Sequence, residues 1–158
     1  MMSVVEAPSR GPSPDLGALP SERLEAQICA LAGRQAADDC AWSLLIGEFD
    51  RRRGYDAWEC RSTSYWLNWH CGLSMGAGRE RVRVARALEG LPLVRAEFAA
   101  GRLTYSKVRA ITRVATEHTE QMLVELGLAG TAAQLERVCF GVSARGLGWW
   151  RPRGGSGR

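Results

Sequence analysis

The stretch GLSMGAGRERVRVARALEGLPLVRAEFAAGRL, residues 72–103, decides the fold because it contains the boundaries of two successive helices. Ser74 is a favourable N-cap and Gly90 a typical helix end, so residues 75–89 are predicted to be helical. Pro92 suits the first position of a second helix. No strand pattern competes with these signals, which favours an all-α fold.

The first of these helices has a dense arginine face. At about 100° per residue, Arg79, Arg83 and Arg86 fall opposite an apolar side. That apolar side comprises Ala77, Val84, Leu88 and Leu91. Such a stripe can contact phosphates, but charged helix faces are more often solvated or paired with acids elsewhere in the fold. No aromatic residue interleaves the stripe, which weakens the nucleic-acid interpretation.

Shorter helices are predicted on both sides of this pair. Ser62 or Thr63 caps a helix of about residues 63–71, and Gly72 ends it. A further helix is predicted over about residues 105–116.

The last two helices complete the pattern. Arg109 and Arg113 lie four residues apart and are expected to face outward together. One helix starts after Thr119, and the last is opened by the capping box that Thr131 forms with Gln134.

A long helix beginning at Ser21 precedes all of these. Arg51–Arg53 end it, where three cations favour a helix C-terminus and phosphate contact is the alternative. Asp38 and Asp39 point apart on a helix, so we expect a polar break there and not a metal or acid–base pair. Its predicted apolar stripe comprises Leu24, Ile28, Leu31, Trp42, Leu45, Ile46 and Phe49. The expected architecture is all-α, with six or seven mostly short helices packed against this one.

Composition divides the chain into three parts. Residues 1–20 are rich in Pro and are expected to be a disordered lead-in. Residues 21–143 are expected to form a single helical domain, and residues 144–158 a disordered tail rich in Gly, Arg and Trp. The net charge is +4. All of it is accounted for by four tail arginines, namely Arg145, Arg151, Arg153 and Arg158.

The chemistry-bearing residue types are sparse. Five cysteines at wide spacings match neither a zinc pattern nor a secreted disulfide framework, so we expect free thiols in a reducing cytoplasm. No apolar run is long enough to span a membrane. Two histidines support no catalytic constellation, and we expect no catalytic residues, no metal and no cofactor.

Four motifs in a preserved order carry a family resemblance. They are Ser62–Leu67, Gly72–Leu88, Leu91–Leu103 and Leu126–Arg137. Over about residues 61–137 the chain resembles the actinobacterial domain of unknown function 222 family. That family commonly precedes a small HNH endonuclease domain, so the resemblance implies a helical domain associated with nucleases and without assigned catalytic residues.

The nuclease half itself is missing from this sequence. An HNH centre is rich in His and Asn, whereas the chain has His70, His118 and Asn68 and no Cys-x-x-Cys pair. The tail composition is typical of an out-of-register reading of GC-rich DNA, so we expect a truncated or frameshifted family member. The alternative is a genuine Arg/Gly-rich tail that contacts nucleic acid.

Three functions follow as hypotheses. The first is a non-catalytic domain that assists DNA engagement through Arg79, Arg83, Arg86, Arg109 and Arg113. The second is a protein–protein interaction module, or a structural fragment left after loss of the nuclease, whose partner is another protein or a second copy. The third, an enzyme in its own right, has the least support.

Overall fold

Seven α-helices and two short 3-10 helices make up the computed structural model, which describes residues 15–146 and side chains through Gly141. The helices are α1 (Ser21–Arg51), α2 (Thr63–Cys71), α3 (Met75–Leu88), α4 (Pro92–Ala99), α5 (Tyr105–Ile111), α6 (Glu120–Ala129) and α7 (Ala132–Gly146). The 3-10 helices cover Leu16–Ala18 and Gly54–Trp58. No strand occurs in the described range, so the all-α prediction is confirmed.

The predicted capping residues set the helix boundaries. The Ser62 and Ser74 hydroxyls each accept a backbone N–H three residues on, at 3.2 Å. Gln134 Oε1 accepts the Thr131 backbone N–H at 2.8 Å, while Thr131 Oγ1 accepts the Gln134 N–H at 3.3 Å. Gly72 ends α2 with φ +68°, a left-handed conformation that suits glycine.

One boundary was predicted wrongly, because α5 ends at Ile111 and not near residue 116. The Thr112 hydroxyl donates back to the Val108 carbonyl oxygen at 2.8 Å. The same carbonyl oxygen accepts the Thr112 backbone N–H at 2.9 Å, and the chain continues from there as a turn.

The buried side of α1 differs from the predicted apolar stripe. Its small residues recur at helical spacing along the side that faces the domain, namely Gly33, Ala36, Cys40, Ser43 and Gly47. A Cβ on Gly47 would lie 3.6 Å from the Ala85 Cβ of α3, and Gly33 meets the backbone of Gly101. Small side chains let neighbouring backbones approach closely, and this packing selects the buried face.

The bulky residues of the predicted stripe therefore lie mostly outside the core. Ile28, Leu31 and Leu45 are 65%, 56% and 69% exposed, whereas Ile46 is buried. Apart from half-buried Leu24, every residue of α1 before Gly33 is exposed, so the stripe prediction was wrong for Ile28 and Leu31. About three turns of α1 protrude from the domain.

The core forms two clusters, each of which includes residues of α3. Helices α2 to α5 contact α1, whereas α6 and α7 pack on α4 and α5. The larger cluster contains Val84, Leu88 and the fully buried Phe98, and the smaller one joins Ile46 and Leu67. These two clusters hold α3 between α1 and the C-terminal helices.

A buried carboxylate joins α6 to the start of α4. Glu120 is 4% exposed, and its Oε1 accepts the backbone N–H of Val94 at 2.9 Å. It thereby satisfies one of the free N–H groups in the first turn of α4.

The predicted lead-in and tail fall almost entirely outside the described residues. Of the lead-in, residues 15–20 contain the first 3-10 helix. Of the tail, residues 144–146 are the end of α7.

Candidate nucleic-acid interface

The position of α3 determines where the predicted arginines point. Gly78 faces the backbone of α2, where an added Cβ would lie 3.0 Å from the Ser64 carbonyl oxygen. Val82 and Ala85 continue this buried side, and Val84 and Leu88 form a second one. Ala77, which was predicted on the apolar side, is exposed. Because α3 is buried on two sides, its arginines are distributed among different neighbours.

Arg83 ties α3 to the end of α5. Its guanidinium donates to the backbone carbonyl oxygens of Arg109 and Thr112, each at 3.1 Å. It also donates twice to the Glu80 carboxylate, at 3.0 Å each. The last carbonyls of a helix lack partners within the helix, so Arg83 satisfies them from outside.

Glu80 is shared between two arginines of the predicted site. Arg113 donates to its Oε1 at 2.9 Å, beside the bonds from Arg83. The hydrogen bonds from Arg83, and then those from Arg113, lower the pKa of Glu80 to about 2 against the burial that would raise it. The carboxylate is therefore ionised at neutral pH and neutralises part of the arginine charge.

Arg109 and Arg113 also line a cleft between α5 and α7. The cleft has a volume of about 630 Å³, and Arg137 of α7 lines it as well. Arg109 Nη2 lies 3.2 Å from Glu136 Oε1, in a pair whose side chains are 39% and 47% exposed. Phe140, at the rim of the same cleft, is 78% exposed.

Sequence reasoning missed both Arg137 and Phe140. No local pattern singles them out, because they join the site only through the packing of α7 on α5. The one sequence signal near them is the capping box at Thr131, which predicts α7 but does not predict that α7 packs on α5.

Arg86 is paired with α1, unlike the other predicted site residues. Its Nε donates to Asp50 Oδ2 at 2.7 Å, and Asp50 Oδ1 accepts the Thr63 hydroxyl, also at 2.7 Å. Burial raises the pKa of Asp50, but the bonds from Arg86 and Thr63 outweigh it and leave the pKa lowered. The structure thus brings Arg83, Arg109 and Arg113 together and places Arg86 at the junction of α1, α2 and α3.

Arg79 has no such partner. It is exposed one turn before Arg83 on α3, and its guanidinium makes no hydrogen bond or ion pair with any described residue. Its guanidinium is free for a ligand at that edge of the site.

Arg81 of α3 contacts side chains of both α1 and α5. Its guanidinium stacks on the rings of Tyr105 and Trp42, 3.6 and 4.6 Å from their centroids. Its Nη1 lies 2.7 Å from Asp39 Oδ1. Asp39 is thus the partner of a stacked arginine, whereas Asp38 is exposed. The predicted polar break on α1 is a point of contact with α3.

Other site types have no support in the described part of the chain. Within residues 15–146, no group of three or more His, Cys, Asp or Glu side chains is placed to hold a metal. The five cysteines are all free thiols. None of the described helices has the length and apolar character needed to cross a membrane.

Comparison with known proteins identifies the family. The model of a domain of unknown function (DUF222) matches residues 22–140, from the start of α1 into α7. The match thus extends beyond the stretch that carries the sequence resemblance. Comparison with the curated proteins and with the solved structures gives no match. The chain belongs to the DUF222 family.

Proposed function

We propose that this chain is a non-catalytic helical domain that engages DNA through the surface where α3, α5 and α7 meet. We call this surface the basic face. It comprises Arg83, Arg109, Arg113 and Arg137 with the acids Glu80 and Glu136, and exposed Arg79 one turn before Arg83 on α3. The observation that carries the proposal is its composition, five guanidinium groups against two carboxylates, drawn from α3, α7, and α5 with the turn after it.

The ion pair between Arg109 and Glu136 does not prevent phosphate binding. The Arg109–Glu136 pair is well exposed, and exposed pairs contribute only about 0–1 kcal/mol. A guanidinium can exchange such a carboxylate for a phosphate at little cost, because both offer two acceptor oxygens in the same geometry. The charge surplus of the face then attracts the DNA backbone.

The family resemblance agrees with this role. Relatives in which a similar domain precedes an HNH domain would leave catalysis to that domain, and the helical part would hold the substrate DNA. Acting in the cytoplasm would also keep the five free thiols reduced.

Binding of the full chain to a labelled DNA duplex over a salt series tests the proposal. The R79A/R113A variant is expected to weaken binding and to flatten the salt slope by about 0.9 per lost phosphate contact. R23A/R102A is the matched control, because it also removes two exposed arginines and both lie outside the basic face. Equal losses in both variants would contradict the proposal.

A separate variant tests whether the tail, and not the domain, binds DNA. In R151Q/R153Q/R158Q the domain is unchanged and the tail loses three charges. Binding that survives this change and responds to Arg79 and Arg113 assigns DNA engagement to the domain. Binding that disappears with the tail charges assigns it to the tail and overturns the proposal.

Self-association is a second candidate function, favoured by the protruding turns of α1. Ile28 and Leu31 lie exposed on the same side of the helix, with half-buried Leu24 one turn before them. Two acids and two arginines between residues 21 and 35 leave these turns without net charge, so two copies can approach without repulsion. A second copy is therefore the partner to test.

Sedimentation equilibrium of the full chain tests that candidate. Apolar pairing predicts a dimer that persists at high salt and is lost in I28S/L31S. A monomer at all accessible concentrations would exclude this role and leave DNA engagement untouched.

A further inference from the structure

We infer that the cleft between α5 and α7 binds a nucleotide unit of a single DNA strand, with the base against Phe140 and the phosphate among the arginines. The inference rests on the proposed function, because it specifies the form of DNA that the basic face recognises. The observations that support the inference are the size of this cleft and the chemistry of the residues that line it.

The lining of the cleft combines charged and apolar side chains on both sides. Arg109, Arg113 and Arg137 supply guanidinium groups, and Glu136 is its one lining acid. The remaining lining is formed by Ala110, Val114, Ala133, Cys139 and Phe140. A ligand that matches this mixed lining has an anionic group joined to a flat apolar one, which describes a nucleotide.

The size of the cleft suits that ligand. Its volume of about 630 Å³ lies within the range of about 300–1,000 Å³ typical of small-molecule sites. A stacked base pair within a duplex does not present its ring face to a side chain, whereas an unpaired base does.

Phe140 is the ring positioned for such a base. The inward side of α7 is made by Leu135 and Cys139, which are 2% and 5% exposed, whereas Phe140 is 78% exposed. The arginine stripe of α3 has no aromatic neighbour in sequence, and α7 supplies one beside Arg109 and Arg113. Aromatic rings next to cations are the usual arrangement for single-stranded nucleic acid.

Arg109 has donor capacity that its present contacts do not use. Its Nη2 pairs with Glu136, while its Nε–H is buried and has no partner among the described residues. A phosphate replacing Glu136 could accept from both nitrogens once the side chain turns toward the cleft.

The test uses the full chain and fluorescence anisotropy with a labelled oligo(dT) of about 15 nucleotides, near the upper site size of one binding domain. The competitors are a duplex, an abasic strand of the same length and free dTMP. The inference predicts that oligo(dT) competes best, because only it offers both an unpaired base and several phosphates.

Three variants test whether a DNA base stacks on Phe140. F140A is expected to weaken oligo(dT) binding about tenfold, the loss typical of a removed stacking ring. F140Y keeps the ring and is expected to retain the affinity. V138A is the matched control, an exposed apolar residue of α7 that lines a different depression with Leu126. Circular dichroism of each variant checks that α7 still forms.

The outcomes separate this inference from the proposed function. Equal competition by duplex, abasic strand and oligo(dT), with no effect of F140A, overturns the inference and leaves DNA engagement standing. Competition by dTMP as strong as that of oligo(dT) overturns the strand assignment in favour of a free nucleotide. Binding that is unchanged by the loss of the arginines and by the loss of Phe140 overturns both the inference and the proposed function.

Discussion

Arg81 and Asp39 meet across 42 positions of sequence, with Nη1 2.7 Å from Oδ1 and their side chains only 16% and 20% exposed. The guanidinium is also enclosed by the rings of Trp42 and Tyr105. Arg81 of α3 therefore connects three helices, whereas the arginine stripe beside it in sequence lies at the surface or pairs elsewhere.

Removing the Arg81 side chain, and with it these contacts, is expected to destabilise the fold. R81A leaves the Asp39 carboxylate largely buried without its partner and two rings without their cation, which costs about 3 kcal/mol by analogy with other broken buried pairs. Urea unfolding followed by tryptophan fluorescence measures the loss. R102A, which breaks an exposed pair, should change stability by less than about 1 kcal/mol.

The double variant R81M/D39N refines this expectation. It removes both charges and keeps apolar volume between the rings, so it should be more stable than R81A. A double variant as unstable as R81A would place the energy in the cation–ring contacts and not in the ion pair.

Acid should weaken the Glu80 contacts. The pKa of Glu80 is lowered to about 2, mainly by the hydrogen bonds from Arg83, so its stabilising effect is complete above its ordinary pKa of 4.5. The effect is lost as pH falls through that window toward the folded pKa. E80Q should therefore be less stable than the wild type at neutral pH, and the difference should shrink as pH falls toward about 2.

Denaturant midpoints of both proteins across this pH range measure that difference. The difference in stability between E80Q and the wild type at the same pH excludes the contribution of the other carboxylates, because they titrate in both proteins. A gap that stays constant with pH would show that E80Q acts through packing and not through the charge.

Two glycines of the α1 interface should respond oppositely to alanine. Gly101 has φ +74° and an added Cβ would clash with the Gly33 backbone, so G101A is expected to cost more than about 1 kcal/mol. Gly47 lies inside α1, and its added Cβ would meet Ala85 at an ordinary 3.6 Å. G47A should therefore be neutral or stabilising by up to about 1 kcal/mol. Thermal unfolding of the two variants, each compared with the wild type, checks the contrast.

Neutralising an acid on the basic face should strengthen DNA binding. E136Q frees Arg109 from its carboxylate, and the exposed position of Glu136 predicts little change in stability. Affinity at low salt is expected to rise about two- to fivefold, with the gain fading as salt increases. Anisotropy titrations measure it, and unchanged affinity would show that Arg109 does not meet phosphate.

The local signals of the sequence determined where most helices begin and end. Ser62, Ser74, Gly72 and the capping box at Thr131 act within a few residues, so their effect can be inferred without knowing the neighbours. The same local reasoning located the arginines but not their partners. The end of α5 was misplaced because Arg83 of α3 donates to the Arg109 and Thr112 carbonyl oxygens, a contact that local sequence does not show.

Only the tertiary structure decided which faces are buried and which charges meet. Helical periodicity selected Ile28 and Leu31 as core residues, but α1 packs through its small residues, which let neighbouring backbones come closer. The grouping of Arg83, Arg109 and Arg137 around one surface depends on α7 lying against α5. Periodicity describes a single helix, whereas burial and ion pairing arise from the geometry between helices, which local sequence does not encode.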